Sequence, residues 1–373
     1  MALSPPPPYY APYPYSAVPA PRPRQDVGTV LLVILVVAAS IVIVVAVLFG
    51  PFLRSGFGPA RTEWAFQDTG VNAFANQGFR GEGIVICVVD SGIDLSHPDL
   101  GGLHLRAWKD FVFDRPQPYD DDGHGTAMAG IIFANGTLRG VAPGATLIVA
   151  KAITGSGQGT TSDVADAIDF CRDPDQDGDS ADGADIISLS LGGDKKPVLG
   201  SETTQAVNRA ALVGILVVAS AGNDGEADNG DVESPASEPL AIAVGAIGEG
   251  LRIAPFSSIG DNDGVSPSTV DDRKPPNQKP ELSAPGVEIN SLAPQGRFAA
   301  VSGTSPAAAF AAGAFALLLQ KHPAYRHSGS SSTVVAFKQA IREGALKAEG
   351  QALPHDDHYG YGILNLATIS SRL

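Results

Sequence analysis

Five short runs of nearly uninterrupted apolar residues recur along the chain: Ile84 to Val89, Thr146 to Ala152, Ile186 to Ser190, Ile215 to Ala219 and Ala241 to Ala246. Continuous apolar runs of this length, without polar alternation, are the pattern of strands covered on both faces. Between them, Ser162 to Cys171, Thr203 to Val213 and the 306–320 segment carry helical patterning. The alternation predicts an α/β fold in three layers, a mostly parallel central sheet with helices on both faces. Reactive groups in such sheets gather at the carboxyl ends of the strands. Asp90 stands at one such exit, in Asp90-Ser91-Gly92-Ile93-Asp94, and Ala221-Gly222-Asn223-Asp224-Gly225 follows another.

Two further stretches carry chemistry. Asp122-Gly123-His124-Gly125-Thr126 sets a histidine between glycines and leads into the apolar, helix-like run Ala127 to Ala134. Ser302-Gly303-Thr304-Ser305-Pro306 opens the small-residue run Ala307 to Lys321; the glycine permits a sharp turn and the proline suits a first helical turn. Ser305 is thereby expected at a helix N-terminus, where unpaired N–H groups and the positive dipole end favour developing negative charge.

In this order and spacing, these stretches resemble the subtilisin-like serine proteases, the subtilase family, and the likeness extends from about Trp64 to Leu373. Asp90 matches the family's aspartate, His124 its histidine, Ser305 its serine and Asn223 its oxyanion asparagine. Ser190, Leu191 and Gly192 match the edge that pairs with the substrate backbone. Gly140-Val141-Ala142-Pro143, Phe256-Ser257-Ser258, Ser283-Ala284-Pro285-Gly286 and Tyr359-Gly360-Tyr361-Gly362 are lesser echoes. The resemblance implies a subtilisin-like three-layer fold and an endopeptidase that works through an acyl-enzyme. A serine hydroxyl needs a base, which is the role of His124, and a carboxylate to hold that imidazole, which is the role of Asp90. Two rivals are a subtilase-like scaffold that binds peptides without cutting them and an α/β-hydrolase esterase. The first would lack a catalytic residue and the second would show Gly-x-Ser-x-Gly, whereas Ala307 follows Pro306.

The N-terminal part reads differently. Residues 1–28 form a Pro/Tyr-rich tail, with nine prolines and four tyrosines in the first 24 residues, expected to be extended and either a tether or a ligand for a proline-recognising partner. Residues 29–49, Thr29 to Phe49, hold no charge over 21 positions. At 1.5 Å per residue such a helix covers roughly the 30 Å of a bilayer core, so one N-terminal transmembrane helix is expected. A linker of twelve residues, 50–61, leads to a peptidase domain at 62–373. Arg22 and Arg24 before the span balance Arg54 and Arg61 after it, so charge leaves the orientation open. The resemblance points to a single-pass cell-membrane protein with its peptidase domain extracytoplasmic. It also raises the question of a folding propeptide, which does not fit in the linker: the domain is expected to fold unaided or with help from a separate chain.

The net charge is −15, of which the residues after the tail carry −16. That excludes nucleic acid as a partner and leaves peptide or protein substrates. Asp173-Pro174-Asp175-Gln176-Asp177-Gly178-Asp179 places carboxylates at alternate positions with glycine sixth, the first half of an EF-hand-type loop, but Ala184 stands where the bidentate acid belongs. Asp173, Asp175, Asp177 and Asp179 therefore form either a calcium site or a solvated acidic turn, while the chemistry itself needs no cofactor. His355-Asp356-Asp357-His358 reads as part of a family loop, not a zinc site. Cys87 and Cys171 form either a disulfide or two free thiols, of which the free thiols are the preferred reading. Pro306-Ala307-Ala308-Ala309 replaces the family's usual residues after the nucleophile, and Ala127 and Met128 replace a commoner pair. Ser234-Pro235-Ala236 resembles the loop closing the primary specificity pocket, which places Glu233 at its base and Asp224 at its rim, or else leaves Glu233 as one more surface acid.

Overall fold

The computed structural model describes residues 62–192, 201–225, 231–263, 273–351 and 353–373. The Pro/Tyr-rich tail, the apolar stretch 29–49 and the linker lie outside the described residues. Among those described, no helix is long and apolar enough to cross a membrane.

Two short helices, α1 (Glu63–Asp68) and α2 (Val71–Asn76), precede the sheet. Its strands are β1 (Val85–Asp90), β2 (Leu105–Asp110), β3 (Thr146–Lys151), β4 (Ile186–Leu189), β5 (Leu216–Ser220), β6 (Ala241–Gly248), β7 (Arg252–Ile253) and β8 (Leu282–Pro285). Their order is β2-β3-β1-β4-β5-β6-β7, with β8 also against β6. Every pairing is parallel except β6 with β7. Parallel neighbours need crossovers, and the chain supplies helices for them.

The apolar runs behave as expected of strands buried twice over. In β1 and the residue before it, Ile84, Ile86 and Val88 join one hydrophobic cluster while Val85, Cys87 and Val89 join another on the opposite face. The first layer holds α3 (His124–Phe133) and α6 (Thr304–Lys321); the second holds α4 (Thr161–Arg172) and α5 (Glu202–Leu212). Helix α6 is buried on almost every side, and its seven alanines and Gly313 let it lie close to the sheet. The Ala-rich run after Ser305 is thus a core helix. Hairpin β9 (Ile289–Ala293) with β10 (Arg297–Val301) packs beside α3, and α7 (Ser332–Gly344) and α8 (Leu366–Ser370) close the domain.

One expectation is overturned. Cys87 and Cys171 are not free thiols but a disulfide, with Cα atoms 5.7 Å apart and both residues fully buried. Cys87 points from β1 toward the layer in which α4 ends, so strand and helix terminus meet there. A sequence separation of 84 residues hides a contact that the crossover makes close.

Candidate active site

Asp90, the last residue of β1, is 1 % exposed, and its Oδ1 accepts from the Ser91 N–H at 2.7 Å. The chain then turns at Gly92 (φ +120°), where a side chain would strike the Tyr119 carbonyl at 2.0 Å. His124 opens α3 directly after Gly123, which takes φ +103°. The following Gly125 lies so close that a Cβ there would sit 2.2 Å from the Gly92 carbonyl oxygen. Strand exit and helix start therefore meet backbone to backbone, and His124 Nδ1 reaches Asp90 Oδ1 at 2.8 Å.

Asp120 braces this junction, a role that the sequence reading missed. Its Oδ1 accepts from Ser91 Oγ at 2.9 Å and the Gly123 N–H at 2.8 Å, and its Oδ2 from the Thr126 N–H at 2.8 Å and Thr126 Oγ1 at 2.6 Å. Those bonds hold its carboxyl below the usual range against the opposing effect of burial. Only its place at the start of a four-residue turn hinted at the role. Lys151, fully buried at the end of β3, donates to the Ser91 and Ile153 carbonyls and to Asp121.

The electrostatics follow. The Asp90 charge raises the His124 pKa to about 9, burial opposes it, and the hydrogen bond His124 donates to Asp90 and the charges of Asp122 and Asp120 add to it. Asp122 accepts the His124 N–H at 3.1 Å and is itself exposed.

Ser305 is the second residue of α6, half-buried, as expected of a helix N-terminus. Its Oγ donates to the Ser190 carbonyl at 3.2 Å, and Ser190 Oγ donates back to the Ser305 carbonyl at 3.1 Å. Asn223 follows β5, and its Oδ1 accepts from the Thr304 N–H at 2.9 Å. Only an oxygen can accept there, so the Asn223 NH₂ group is the end turned away from Thr304. Thr304 was visible in the motif, but its grip on Asn223 was not.

His124, Asn223 and Ser305 all line one cavity of about 670 Å³, bounded on its far side by β9 and β10. A second, of about 950 Å³, continues past His124 and Asp90 along Ser190, Leu191 and Gly192 to α4. The 190–192 segment runs on from the end of β4 without a strand partner assigned to it. Glu233 lies between Gly192, which lines this cleft, and Gly222 beside it: a Cβ at Gly192 would lie 1.9 Å from Glu233 Oε2, and one at Gly222 would lie 2.8 Å from its Cγ. Asp224, next to Asn223, is exposed.

The acidic loop sits apart, after α4. The structure brings Asp173 and Asp175 together with Asp182, with one oxygen from each within 4.8 Å of the others. All four loop aspartates accept backbone N–H groups, Asp173 from Gly178, Asp175 from Asp177, Asp177 from Asp179 and Asp179 from Ala181, but Asp177 and Asp179 lie outside the cluster. Asp173 Oδ1 and Asp182 Oδ1 are buried without a hydrogen-bond partner, and burial with the neighbouring acids raises the Asp182 pKa. Arg172 stands 3.9 Å from Asp173 Oδ2, but buried carboxylate oxygens left without a hydrogen bond fit a hard divalent cation. His355, by contrast, is a core residue whose Nε2 meets the Pro280 carbonyl at 2.9 Å.

Residues 81–362 match the subtilase family. The chain is 34 % identical to subtilisin NAT of Bacillus subtilis subsp. natto over 299 residues, 79 % of this chain and 67 % of that protein. It is equally similar to the subtilisin of Bacillus pumilus, covering 93 % of it, and 32 % identical over 295 residues to Subtilisin Savinase of Lederbergia lenta, covering 77 % of this chain and 97 % of that one. With the three-layer fold and the grouping of Asp90, His124, Asn223 and Ser305 in place, the chain belongs to the subtilase family as a subtilisin-like serine endopeptidase.

Proposed function

We propose that the chain is a membrane-tethered endopeptidase in which Ser305 attacks, His124 takes its proton and Asp90 holds and balances His124. The observation that carries this reading is the 2.8 Å contact of a buried Asp90 with His124 Nδ1, on a cleft that His124 shares with Ser305 and Asn223. With Nδ1–H donated to Asp90, Nε2 keeps its lone pair for the Ser305 hydroxyl. An extended peptide laid along Ser190 to Gly192 takes the Ser190 carbonyl as its own partner and frees the Ser305 hydroxyl to turn to His124. As Ser305 Oγ bonds to the scissile carbon, its proton passes to Nε2, and the oxyanion is met by the Asn223 amide and the Ser305 N–H. Collapse expels the amine, which takes that proton, and water repeats the sequence on the acyl-enzyme. Pro306 lacks an N–H, but neither oxyanion donor is the one it removes. A non-cutting scaffold would have no use for so complete a set.

The tether is the apolar stretch 29–49, and the Cys87–Cys171 disulfide supports a peptidase domain on the extracytoplasmic side, since such bonds persist in oxidising compartments. The Pro/Tyr-rich tail then faces the cytoplasm, where a proline-recognising partner is available. Asp173, Asp175 and Asp182 would hold a structural calcium ion, on the strength of the two orphaned oxygens. The deciding experiment is labelling of intact cells with a membrane-impermeant fluorophosphonate. Labelling without permeabilisation, lost in Ser305→Ala, is expected. Labelling retained in Ser305→Ala sinks the nucleophile, and labelling only after permeabilisation sinks the orientation.

A further inference from the structure

Resting on that catalytic reading, we infer that the enzyme selects cationic substrates, cleaving after Lys or Arg and best where a second basic residue precedes it, with Glu233 facing the first side chain and Asp122 the second. In an extended substrate, successive side chains point to opposite sides. The residue that supplies the scissile carbonyl (P1) stands beside Ser305 and Asn223, so its side chain enters the slot between the 190–192 segment and the Gly222 backbone. Glu233 lies against both walls: it fills the space a side chain at Gly192 would need, and together with Ser258 Oγ it fills that at Gly222. The loop carrying Glu233 is held by its own N–H to the Ala221 carbonyl at 2.9 Å, which fixes where its side chain starts, and Glu233 is half-buried there.

The preceding residue (P2) points the other way, toward His124. Asp122 waits there, exposed, anchored by the His124 N–H, and part of the wall of both cavities. The larger cavity also carries Asp163, and no Lys or Arg stands among its described lining residues. Glu233 need not be vacant: a carboxylate takes up to about four hydrogen bonds, and a substrate ammonium joins whatever it already holds. Glu233 is shielded, so its effect should be the larger and the less salt-dependent; exposed Asp122 should contribute less and fade with salt.

The test uses matched peptides with Lys, Arg, Leu or Glu at P1 and Lys or Ala at P2, on enzyme whose active sites have first been counted by fluorophosphonate titration. That count separates the two readings, since an enzyme that titrates but shows no basic preference refutes only the selectivity. Lys and Arg at P1 should exceed Leu in kcat/KM by about 10- to 100-fold, the weight of a charge-assisted hydrogen bond. Glu233→Gln, which keeps the shape, should erase that ratio while Asp122→Asn leaves it. Asp122→Asn should instead erase a P2 Lys advantage of about 3- to 10-fold, itself lost at high salt. Comparing substrates within one variant removes any effect on His124. A Leu preference unchanged in Glu233→Gln overturns the proposal. So does a preference for Gly or Ala at P1 that Glu233→Gly widens, because the glutamate would then be a plug.

Discussion

Replacing Asp90 with asparagine removes a charge and keeps a shape, and its cost should depend steeply on pH. In the wild type the Asp90 carboxylate, 2.8 Å from Nδ1, holds the His124 pKa at about 9. Only the neutral imidazole can accept the Ser305 proton, so kcat/KM should rise with pH to half its plateau near there. At pH 7 about one His124 in a hundred is then neutral. The amide lets the pKa fall toward the ordinary value of about 6.5, making roughly three-quarters of the imidazoles neutral at pH 7. It also offers Nδ1 the wrong partner, which typically lowers turnover about 10⁴-fold. The two effects oppose one another at neutral pH and not at alkaline pH. Wild type should exceed Asp90→Asn by about 10⁴ at pH 10 and by only about 10² at pH 7. Stopped assays with one peptide ester from pH 6 to 10.5, normalised to titrated sites, read this directly. Because the His124 side chain is 39 % exposed, salt should also lower the wild-type midpoint. A wild-type to variant ratio that stays flat across this range would refute the assignment of Asp90 as the anion that tunes His124.

If Asn223 donates to the oxyanion as proposed, Asn223→Ala should lower kcat by about 10² to 10³ and leave KM nearly unchanged; an effect on KM alone would remove it from that role. In Ser305→Ala protein, which cannot digest itself, the His124–Asp90 pair stabilises the fold below about pH 6.5 and that stabilisation is lost as pH rises through about 9, so adding His124→Ala should flatten the melting temperature between those limits. Millimolar calcium should raise the melting temperature and Asp182→Asn should abolish the rise, whereas Asp179→Asn should not; equal sensitivity of both variants would contradict the Asp173, Asp175, Asp182 grouping. Cys87→Ala with Cys171→Ala should cost about 2 to 4 kcal/mol in chemical denaturation, given the 84-residue loop it frees.

Five strands buried on both faces were legible because their residues are mostly apolar, with polar ones such as Asp90 and Lys151 at their ends; β8 is equally buried but too short, and broken by Ser283, to stand out. Strand β2 was not legible, because Leu105–Asp110 is a half-exposed edge whose Arg106 and Lys109 face water. Hairpin β9–β10 was missed because its apolar runs are short: buried Ile289–Ala293 is interrupted by Asn290 and Ser291, and half-exposed Arg297–Val301 offers only the four residues Phe298 to Val301. In the site, Asp90, His124, Asn223 and Ser305 stood out through the glycines and the proline beside them. Asp120 did not, because bracing a turn with backbone hydrogen bonds imposes no pattern on neighbouring residues. The disulfide could not be chosen over two free thiols because no local signal joins residues 84 apart, and the grouping of Asp173 and Asp175 with Asp182 was not legible because Asp182 stands outside the alternate spacing of the loop.

The contact of Gly92 with Gly125 bears on how far this active site can be moved or varied. The separation between the Asp90 strand exit and the His124 helix start is set by two peptide backbones touching, with no side chain in between whose rotamer could drift. Positional error there does not accumulate through intermediaries. Residues lining the cleft can therefore diverge, or be randomised in a library, without loosening the Asp90–His124 distance. The converse is a strict unit of inheritance: anyone grafting the pair onto another sheet must carry 90–92 and 119–126 as a single block, because either segment alone loses the surface that gauges the other.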